Sequence, residues 1–392
     1  MIAAFGADDL RAALVAREPA AAADPGAIRI VRAPGRVNLI GEYTDINEGL
    51  VLPAAIDREI RIAYVPSGDR RVELTRLDDG ATGAFELDVP RAPSGAWPDY
   101  VAATAWALAE AGLPTGGLRG VIGTTLLENA GLSSSAAIEL ASAWALLGDA
   151  ANGIDRLALA RICQRAENGY VGVQSGLMDQ FASSCGVAGA ALLLDCRSTE
   201  WRTVIIPEGL RLVVCHSGSP RRLGSSEYNA RKAQCEAAVE GIRRLDPAVR
   251  SLRDVSAGLL AEARSGLDPV VARRAEHVIA ENDRVLATLA AFETGDLATV
   301  REAFAASHAS LRNLFEVSSP QLDALVEIAA GVPGVVAARM TGAGFGGCTI
   351  NLVHADAVTR LADIVEATYP ARTGLTPMVL PVAPASGAGR LV

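Results

Sequence analysis

A loop of small residues limits what this chain can fold into. Residues 122–140 read IGTTLLENAGLSSSAAIEL, which is a strand-like run, a small-residue loop and the start of a helix. A helix that begins there presents free backbone N–H groups and the positive end of its dipole, and Gly131 lets a ligand approach the backbone. Ser133, Ser134 and Ser135 can cap the helix, donate hydrogen bonds or bind a metal ion. The segment predicts an anion site, with ordinary helix capping as the alternative.

A second loop carries charged side chains between two strand-like runs. Residues 33–53 read APGRVNLIGEYTDINEGLVLP and bring Arg36, Glu42, Asp45 and Asn47 close together. The carboxylates and the amide can bind several hydroxyl groups of a sugar-like molecule, and Arg36 can neutralise a phosphate. The loop therefore predicts a polar binding site, with a solvated turn as the alternative.

The third segment is rich in glycine. Residues 335–353 read VVAARMTGAGFGGCTINLV, in which four glycines separate two strand-like runs. No helix follows and no acidic residue stands at the required distance, so the pattern excludes a dinucleotide-binding motif. Either the glycines allow a tight connection between strands, or they form a flat floor under phosphates.

Two carboxylates supply candidates for proton transfer and metal binding. Residues 166–186 read AENGYVGVQSGLMDQFASSCG and place Asp179 among small residues after a helix. Asp179 is the candidate general base for a hydroxyl group, and Glu167, one helix earlier, is the candidate ligand of Mg²⁺. An isolated aspartate is more often a helix cap, so only the combination of segments supports this hypothesis.

The charge balance and the cysteines exclude several classes of protein. With 36 Lys and Arg against 45 Asp and Glu, the net charge of −9 disfavours a polyanion-binding surface, and we expect no nucleic acid partner. The six cysteines are scattered and lack zinc-site spacing. Asp8 and Asp9 stand where a signal peptide would be apolar, and no later stretch is long and apolar enough to span a membrane. We expect a cytoplasmic protein with no membrane partner.

The predicted elements favour an α+β fold. Strand-like runs flank the loop at 33–53, helical spacing of apolar residues covers 136–150 and 155–168, and a helix-rich block follows at 227–330. Strands and helices do not alternate regularly, which argues against a doubly wound parallel sheet.

The length of the chain predicts two lobes. Its 392 residues exceed the size at which one hydrophobic core usually stops growing. We place the boundary in the segment 201–207. The predicted lobes are residues 1–205 and residues 206–392, with the active site between them.

Together these segments resemble the GHMP kinases, and within them the galactokinases, over nearly the whole chain. The main motifs are GRVNLIGEYTD at 35–45, GLSSSAA at 131–137 and TGAGFGGC at 341–348. The expected order is kept by GLMDQ at 176–180, SSEYNAR at 225–231, RAEHVIAENDRV at 274–285 and SHASLRNLFEVS at 307–318. The resemblance implies a two-lobed GHMP kinase fold and ATP-dependent phosphorylation of a sugar at C1, with D-galactose as the best single substrate.

The resemblance also implies roles for individual residues. Asp179 would orient or deprotonate the sugar C1 hydroxyl, and Arg36 would stabilise charge on the transferred phosphoryl group. The implied sugar pocket consists of Arg36, Glu42, Tyr43, Asp45, Gly176, Asp179 and Tyr228. The implied phosphate-binding residues of the ATP site are Asn129, Ala130, Gly131, Leu132, Ser133, Ser134 and Ser135. Mg²⁺ would bind Ser135 and Glu167. The implied partners are a small-molecule sugar and MgATP, and the protein would be a monomer or weak homodimer.

The sequence departs from the galactokinase pattern in three places. Tyr43 replaces the usual histidine in the sugar pocket, and Ile46 and Glu48 are departures at two further positions. The change at position 43 bears on discrimination near one hydroxyl group, such as that at C6. At the entry to the phosphate loop, Asn129 suits a positive φ, and we expect Glu128 to weaken ATP binding. Ser175 and Ser319 stand where the family often has cysteine, and we expect both changes to be neutral.

Two alternative functions remain open at this stage. The first is a kinase for a related sugar, such as N-acetylgalactosamine or a galactose altered at C6, and Tyr43 motivates it. The second is a non-catalytic sugar sensor that binds sugar and ATP. The intact GLSSSAA segment and the presence of both Asp179 and Arg36 favour the enzyme.

Overall fold

Eleven α-helices and thirteen β-strands form the part of the chain that the computed structural model describes, residues 6–89, 91–127, 130–219 and 224–391. The helices are α1 (Ala7–Arg17), α2 (Pro98–Glu110), α3 (Ser134–Leu147), α4 (Arg156–Ala166), α5 (Met178–Cys185), α6 (Gly224–Ile242), α7 (Ala257–Ala263), α8 (Pro269–Thr294), α9 (Leu297–Ser310), α10 (Pro320–Ala330) and α11 (Val358–Thr373). The strands are β1 (Arg29–Asn38), β2 (Leu50–Val51), β3 (Pro53–Pro66), β4 (Arg71–Arg76), β5 (Thr82–Glu86), β6 (Leu118–Thr124), β7 (Ala190–Asp195), β8 (Trp201–Ile205), β9 (Leu210–His216), β10 (Val335–Thr341), β11 (Cys348–His354), β12 (Met378–Val382) and β13 (Gly389–Arg390).

The largest sheet has six strands in the order β13-β1-β3-β6-β4-β5. Its pairs are antiparallel except for β4 with β6, which run parallel. The pairing of β1 with β3 is interrupted by a bulge between Pro34 and Arg36. Beyond the bulge, the backbone N–H of Arg36 donates to the carbonyl oxygen of Leu132 at 3.0 Å. The bulge thus brings the end of β1 against the small-residue loop.

Helix α3 packs on this sheet and begins at the small-residue loop. It contacts β1, β3 and the neighbouring helix α2, and its buried face consists largely of alanine and leucine. Small side chains let α3 lie close to the strands, so the core is built with few aromatic rings. The close packing fixes the position of the amino end of α3.

A second sheet and a group of helices form the later part of the chain. The sheet has the order β10-β11-β9-β12, and a third, three-stranded sheet has the order β2-β7-β8. Helix α9 packs on β10 and on α8, while α10 packs on α11 and β10. Strand β10 is buried along its whole length. It therefore provides a rigid support for the glycine-rich connection that follows it.

The α+β prediction is confirmed, as are the expected strands around the loop at 33–53 and the helix-rich block at 227–330. The segment 201–207, chosen as the lobe boundary, is mostly strand, because β8 pairs with β7 from residue 201 to residue 205. The last strand, β13, returns to pair with β1. The division into residues 1–205 and 206–392 stays a prediction.

None of the helices within the described ranges is long and apolar enough to cross a membrane.

Candidate active site

A cavity of about 730 Å³ lies where the loop after β1, the amino end of α3, α5 and the connection after β10 meet. It brings together most of the residues predicted from sequence: Arg36, Glu42, Tyr43, Asp45, Gly131, Ser133, Ser134, Ser135, Glu167, Gly176, Asp179 and Tyr228. Two predicted phosphate-binding residues of this loop, Ala130 and Leu132, are buried and are not among the residues that line the cavity. The predicted contact Asn129, and Glu128 beside it, lie outside the described residues.

Arg36 and Asp179 form a two-pronged ion pair in the wall of this cavity. Nε of Arg36 donates to Oδ1 of Asp179 at 2.7 Å, and Nη2 donates to Oδ2 at 2.8 Å. The third guanidinium nitrogen, Nη1, donates to the carbonyl oxygen of Gly131 at 2.7 Å. Paired charge-assisted hydrogen bonds of this kind hold both groups in a fixed orientation. Arg36 is buried, whereas the carboxylate of Asp179 keeps a side-chain exposure of 24%.

Ser133 corrects one expectation about the triple serine. It occupies the N-cap position of α3, but its side chain makes no capping hydrogen bond. Its hydroxyl instead donates to Oδ2 of Asp179 at 2.5 Å. Its φ of +57° is a left-handed conformation that serine rarely adopts, and such strain is typical of functional sites. The Ser133 hydroxyl therefore contacts Asp179 and does not cap α3.

Asp45 lies against Gly176 on another side of the cavity. A Cβ atom at position 176 would overlap the Asp45 carboxyl group, so only glycine fits there. Burial and, after it, the negative charge of Asp179 raise the pKa of Asp45 to about 7, against smaller opposing effects of the Ile46 N–H and of Arg36. Asp45 therefore changes its protonation state near neutral pH.

Tyr43, in the charged loop at residues 33–53, contacts the glycine-rich connection. Its hydroxyl donates to the carbonyl oxygen of Ala343 at 2.6 Å. Its ring lies 5.2 Å from that of Tyr228 and 4.4 Å from that of Phe315, measured between centroids. Burial raises the pKa of Tyr228 well above its usual range. A histidine at position 43 is too short to make all of these contacts at once.

Glu42 is held by a buried arginine that was not among the predicted site residues. Its side chain forms an ion pair with Arg339, which is fully buried, and its Oε1 accepts from the N–H of Gly342 at 3.1 Å. Burial raises the pKa of Glu42, although the nearby Arg339 opposes the shift. Arg339 also donates to the carbonyl oxygen of Leu39 at 2.9 Å. An arginine inside the otherwise apolar run VVAARMT was the available signal.

Glu167 and Ser135 lie together and suit a magnesium ion. Glu167 follows α4 in a π-helical turn, is 5% exposed and accepts hydrogen bonds from the hydroxyls of Ser135 and Ser175. No cation partner of Glu167 is found among the described residues, and burial raises its pKa. A buried carboxylate and a hydroxyl that face a cavity are the oxygen ligands that Mg²⁺ uses beside phosphates and water. No group of three or more His, Cys, Asp or Glu residues in the described ranges is placed to hold a metal ion.

Ser175 and Ser319 do more than fill space. The Ser175 hydroxyl contacts Glu167 and lines the cavity, and the Ser319 hydroxyl caps α10 by accepting from the N–H of Leu322 at 3.3 Å. Their expected neutrality stays a prediction.

The glycine-rich connection is a tight link between β10 and β11 that packs on the phosphate loop. Its four glycines all have positive φ. A Cβ atom at Gly342 would lie 2.9 Å from the carbonyl oxygen of Gly131, and one at Gly347 would lie 2.8 Å from that of Ala130. The glycines thus form a close connection between the strands, and because Gly342 also lines the cavity, the alternative of a floor under phosphates stays a prediction.

A second cavity of about 460 Å³ adjoins the first at the amino end of α3. The two share Gly95, Tyr100, Ser134 and Ser135. The wall of the second cavity includes the apolar side chains of Ile60, Trp97, Ile122, Leu126 and Ile138. This cavity was not predictable from the sequence, because its residues come from separate elements and form no local motif.

Three family models and a curated relative identify the family of the chain. Family models match the chain at residues 21–66 (galactokinase galactose-binding signature), 99–187 (GHMP kinases N terminal domain) and 288–371 (GHMP kinases C terminal). A curated protein named galactokinase, from Roseiflexus sp. (strain RS-1), is 41% identical over 93% of this chain and 93% of its own length.

Solved structures give the same family and fold. The crystal structure of Lactococcus lactis galactokinase complexed with galactose is similar, with a TM-score of 0.91 and 33% identity over 97% of this chain and 99% of that one. Methanococcus jannaschii mevalonate kinase, at 16% identity, has the same fold with a TM-score of 0.67 over 92% of this chain and 99% of that chain. The predicted GHMP kinase fold is therefore confirmed, and the chain belongs to the galactokinase family of the GHMP kinases.

Proposed function

We propose that this protein transfers the γ-phosphoryl group of ATP to the C1 hydroxyl of D-galactose. The observation that carries the proposal is the Arg36–Asp179 pair, which faces the cavity beside the amino end of α3. The names of the Roseiflexus and Lactococcus proteins, and the galactose bound to the latter, support the choice of sugar.

The two adjoining cavities suit two substrates. Galactose would occupy the larger one, where Asp45, Tyr43 and Tyr228 surround a polar space. The phosphates of ATP would lie at the junction, against the backbone N–H groups and serine hydroxyls at the start of α3. The apolar walls of the smaller cavity, including Trp97, suit the adenine ring.

Phosphoryl transfer needs positioning and charge neutralisation more than covalent help. Asp179 accepts the hydrogen bond of the sugar C1 hydroxyl and takes its proton as the oxygen bonds to the γ-phosphorus and the bond from that phosphorus to ADP breaks, releasing ADP. Arg36, held by the carbonyl oxygen of Gly131, stabilises negative charge on the transferred group. Ser133, which contacts Asp179, keeps the carboxylate directed into the cavity. Mg²⁺ held by Ser135 and Glu167 would neutralise phosphate charge.

The direct test is product analysis. Purified protein is incubated with MgATP and, separately, D-galactose, N-acetylgalactosamine, glucose, arabinose and galacturonate. ADP release is measured and the position of the phosphate is determined by NMR. We expect galactose 1-phosphate as the best product. Galactose binding without turnover of any sugar would contradict the proposal and support a sensor.

A related sugar is the second candidate, because Tyr43 replaces the usual histidine and fills its part of the cavity wall with a larger ring. The change Tyr43→His opens space between Tyr228 and Phe315. We expect it to alter the ratio of kcat/KM between galactose and sugars altered at C6, while the KM for ATP stays constant. An unchanged ratio would remove position 43 from substrate selection.

Three further expectations belong to this proposal. The lobes divide near residues 205 and 206, the protein is a monomer or weak homodimer, and it works in the cytoplasm without nucleic acid.

A further inference from the structure

A buried polar pair lies next to Glu167 and lines neither cavity. Glu139 is on α3, one turn after Ser135, and Gln180 is on α5, next to Asp179 in the chain. Both side chains are fully buried. Nε2 of Gln180 donates to Oε2 of Glu139 at 3.0 Å and to Oε2 of Glu167 at 3.0 Å. One amide group thus connects the two carboxyl groups.

The surroundings of Glu139 do not suit a charged carboxylate. Within the described part of the chain, the ionisable groups that act on it are Glu167 and Asp179, both of which would repel a negative charge. The neighbouring Cys163 is a buried free thiol. Burying an ionised carboxylate without a cation is very unfavourable. Burial raises the pKa of Glu139 well above its usual range, which agrees with this argument.

Two buried atoms of this pair lack hydrogen-bond partners among the described residues, Oε1 of Glu139 and Oε1 of Gln180. Both are acceptors if Glu139 is ionised, so neither can satisfy the other. A neutral Glu139 removes the problem, because its protonated Oε1 can donate to Oε1 of Gln180 while its Oε2 accepts from Nε2. The acid and the amide then form a ring closed by two hydrogen bonds.

We propose that Glu139 is a neutral acid that orients the amide of Gln180, and that Gln180 in turn positions the carboxylate of Glu167 beside Ser135. The ring determines which end of the amide faces Glu167. If the amide turned over, its oxygen would face the carboxylate and repel it. Glu139 is therefore a positioning residue for the metal ligand, and this inference rests on the proposed Mg²⁺ site.

The first test separates a neutral acid from a carboxylate. The change Glu139→Gln keeps one acceptor and one donor, whereas Glu139→Leu keeps only the volume. We measure ADP binding by calorimetry, without galactose, over a range of Mg²⁺ concentrations. We expect Glu139→Leu to raise the Mg²⁺ requirement about tenfold, as for other residues that orient metal ligands. Glu139→Gln should change the requirement less than about threefold, and galactose affinity should stay constant in both.

The matched control is Ser142→Ala. Ser142 lies on the same helix, is 1% exposed, and its hydroxyl has no hydrogen-bond partner among the described residues. This change should leave the Mg²⁺ requirement unaltered. The proposal is wrong if Glu139→Gln is as damaging as Glu139→Leu, or if Glu139→Leu has no effect.

A second test does not depend on Mg²⁺ or on a folded Glu139→Leu variant. An infrared difference spectrum between the wild-type protein and Glu139→Gln at neutral pH should contain the C=O band of a protonated carboxyl group. Absence of that band overturns the proposal. If ADP binding by the wild-type protein does not respond to Mg²⁺ while the band is present, the proposed metal site fails, and with it the positioning role, whereas the neutral state of Glu139 stands.

Discussion

At the scale of single residues, three hydrogen bonds hold the carboxylate of Asp179 in place. It accepts from two nitrogens of Arg36 and from Ser133. We expect Asp179→Asn to lower kcat by about 10³-fold, because an amide cannot take the hydroxyl proton. Galactose binding, measured by calorimetry, should remain detectable. A rate equal to that of the wild-type protein would exclude Asp179 from the mechanism.

The raised pKa of Asp45 predicts that the stability of the folded protein depends on pH. The folded protein holds its proton up to about pH 7, whereas the same group in the unfolded chain releases it near its ordinary value of 3.8. The folded state therefore binds more protons than the unfolded state between these pH values. The contribution of Asp45 to the free energy of unfolding falls as the pH rises from about 4 to about 7. We expect Asp45→Asn to be more stable, relative to the wild-type protein, at pH 8 than at pH 5.

Urea unfolding of both proteins at the two pH values checks this prediction. The exposed Asp363 provides a control, since Asp363→Asn should give the same stability difference at both. A stability difference for Asp45→Asn that does not vary with pH would show that the carboxyl group titrates normally.

Individual site residues were predictable from the sequence where a motif surrounds them. Arg36, Asp45 and Asp179 stand in polar, small-residue segments, and all three line the cavity. The role of Arg339 was missed because it depends on Glu42, which is distant in the chain. The left-handed conformation of Ser133 was missed because it depends on the contact with Asp179, which only the folded chain makes.

At the scale of elements, the connection after β10 supports the phosphate loop directly. The change Gly342→Ala places a methyl group 2.9 Å from the carbonyl oxygen of Gly131, at a φ of +77°. We expect a loss of stability of about 1 kcal/mol from the backbone strain alone, together with a several-fold rise in the KM for ATP as the loop is displaced. Thermal unfolding and steady-state kinetics measure the two effects.

Gly295→Ala is the matched control for this change. Gly295 ends α8 with a φ of +72°, and a methyl group there would meet open space. It should lose similar stability without any change in the KM for ATP. Equal kinetic effects in both variants would mean that contact with Gly131 is unimportant.

Elements with a strong local pattern were predictable. Helix α3 follows from its regular apolar spacing, and β10 and β11 follow from apolar runs on either side of the glycines. The parallel pairing of β4 with β6 was not predictable, because the two strands are separated in the chain by a helix. No local sequence pattern indicates such a pairing.

At the scale of the whole molecule, the last residues of the described chain contact the six-stranded sheet and stabilise it. Strand β13 pairs with β1, and the carbonyl oxygen of Ala388 accepts from Arg156 at 2.6 Å. Arg32 donates to the carbonyl oxygen of Ser386 at 2.9 Å. Removing residues 384–392 should therefore lower the Tm by roughly 10 °C, since several hydrogen bonds and an edge strand are lost.

Thermal unfolding followed by circular dichroism measures this effect. The change Arg32→Met removes the contacts of Arg32 with Ser386, Gly387 and Glu59 but keeps β13, and it should lower the Tm less than the truncation does. A truncated protein with the Tm of the full chain would show that the returning segment does not stabilise the sheet.

The return of β13 also orders events during synthesis. Arg32 leaves the ribosome early, but its strand partner Gly389 is added only after all of the intervening chain has been translated. The edge of β1 therefore stays open while the rest of the protein emerges, and an open edge can pair with a strand of another nascent chain. On polysomes, where such chains are close together, we expect this edge to be a site of pairing between nascent chains.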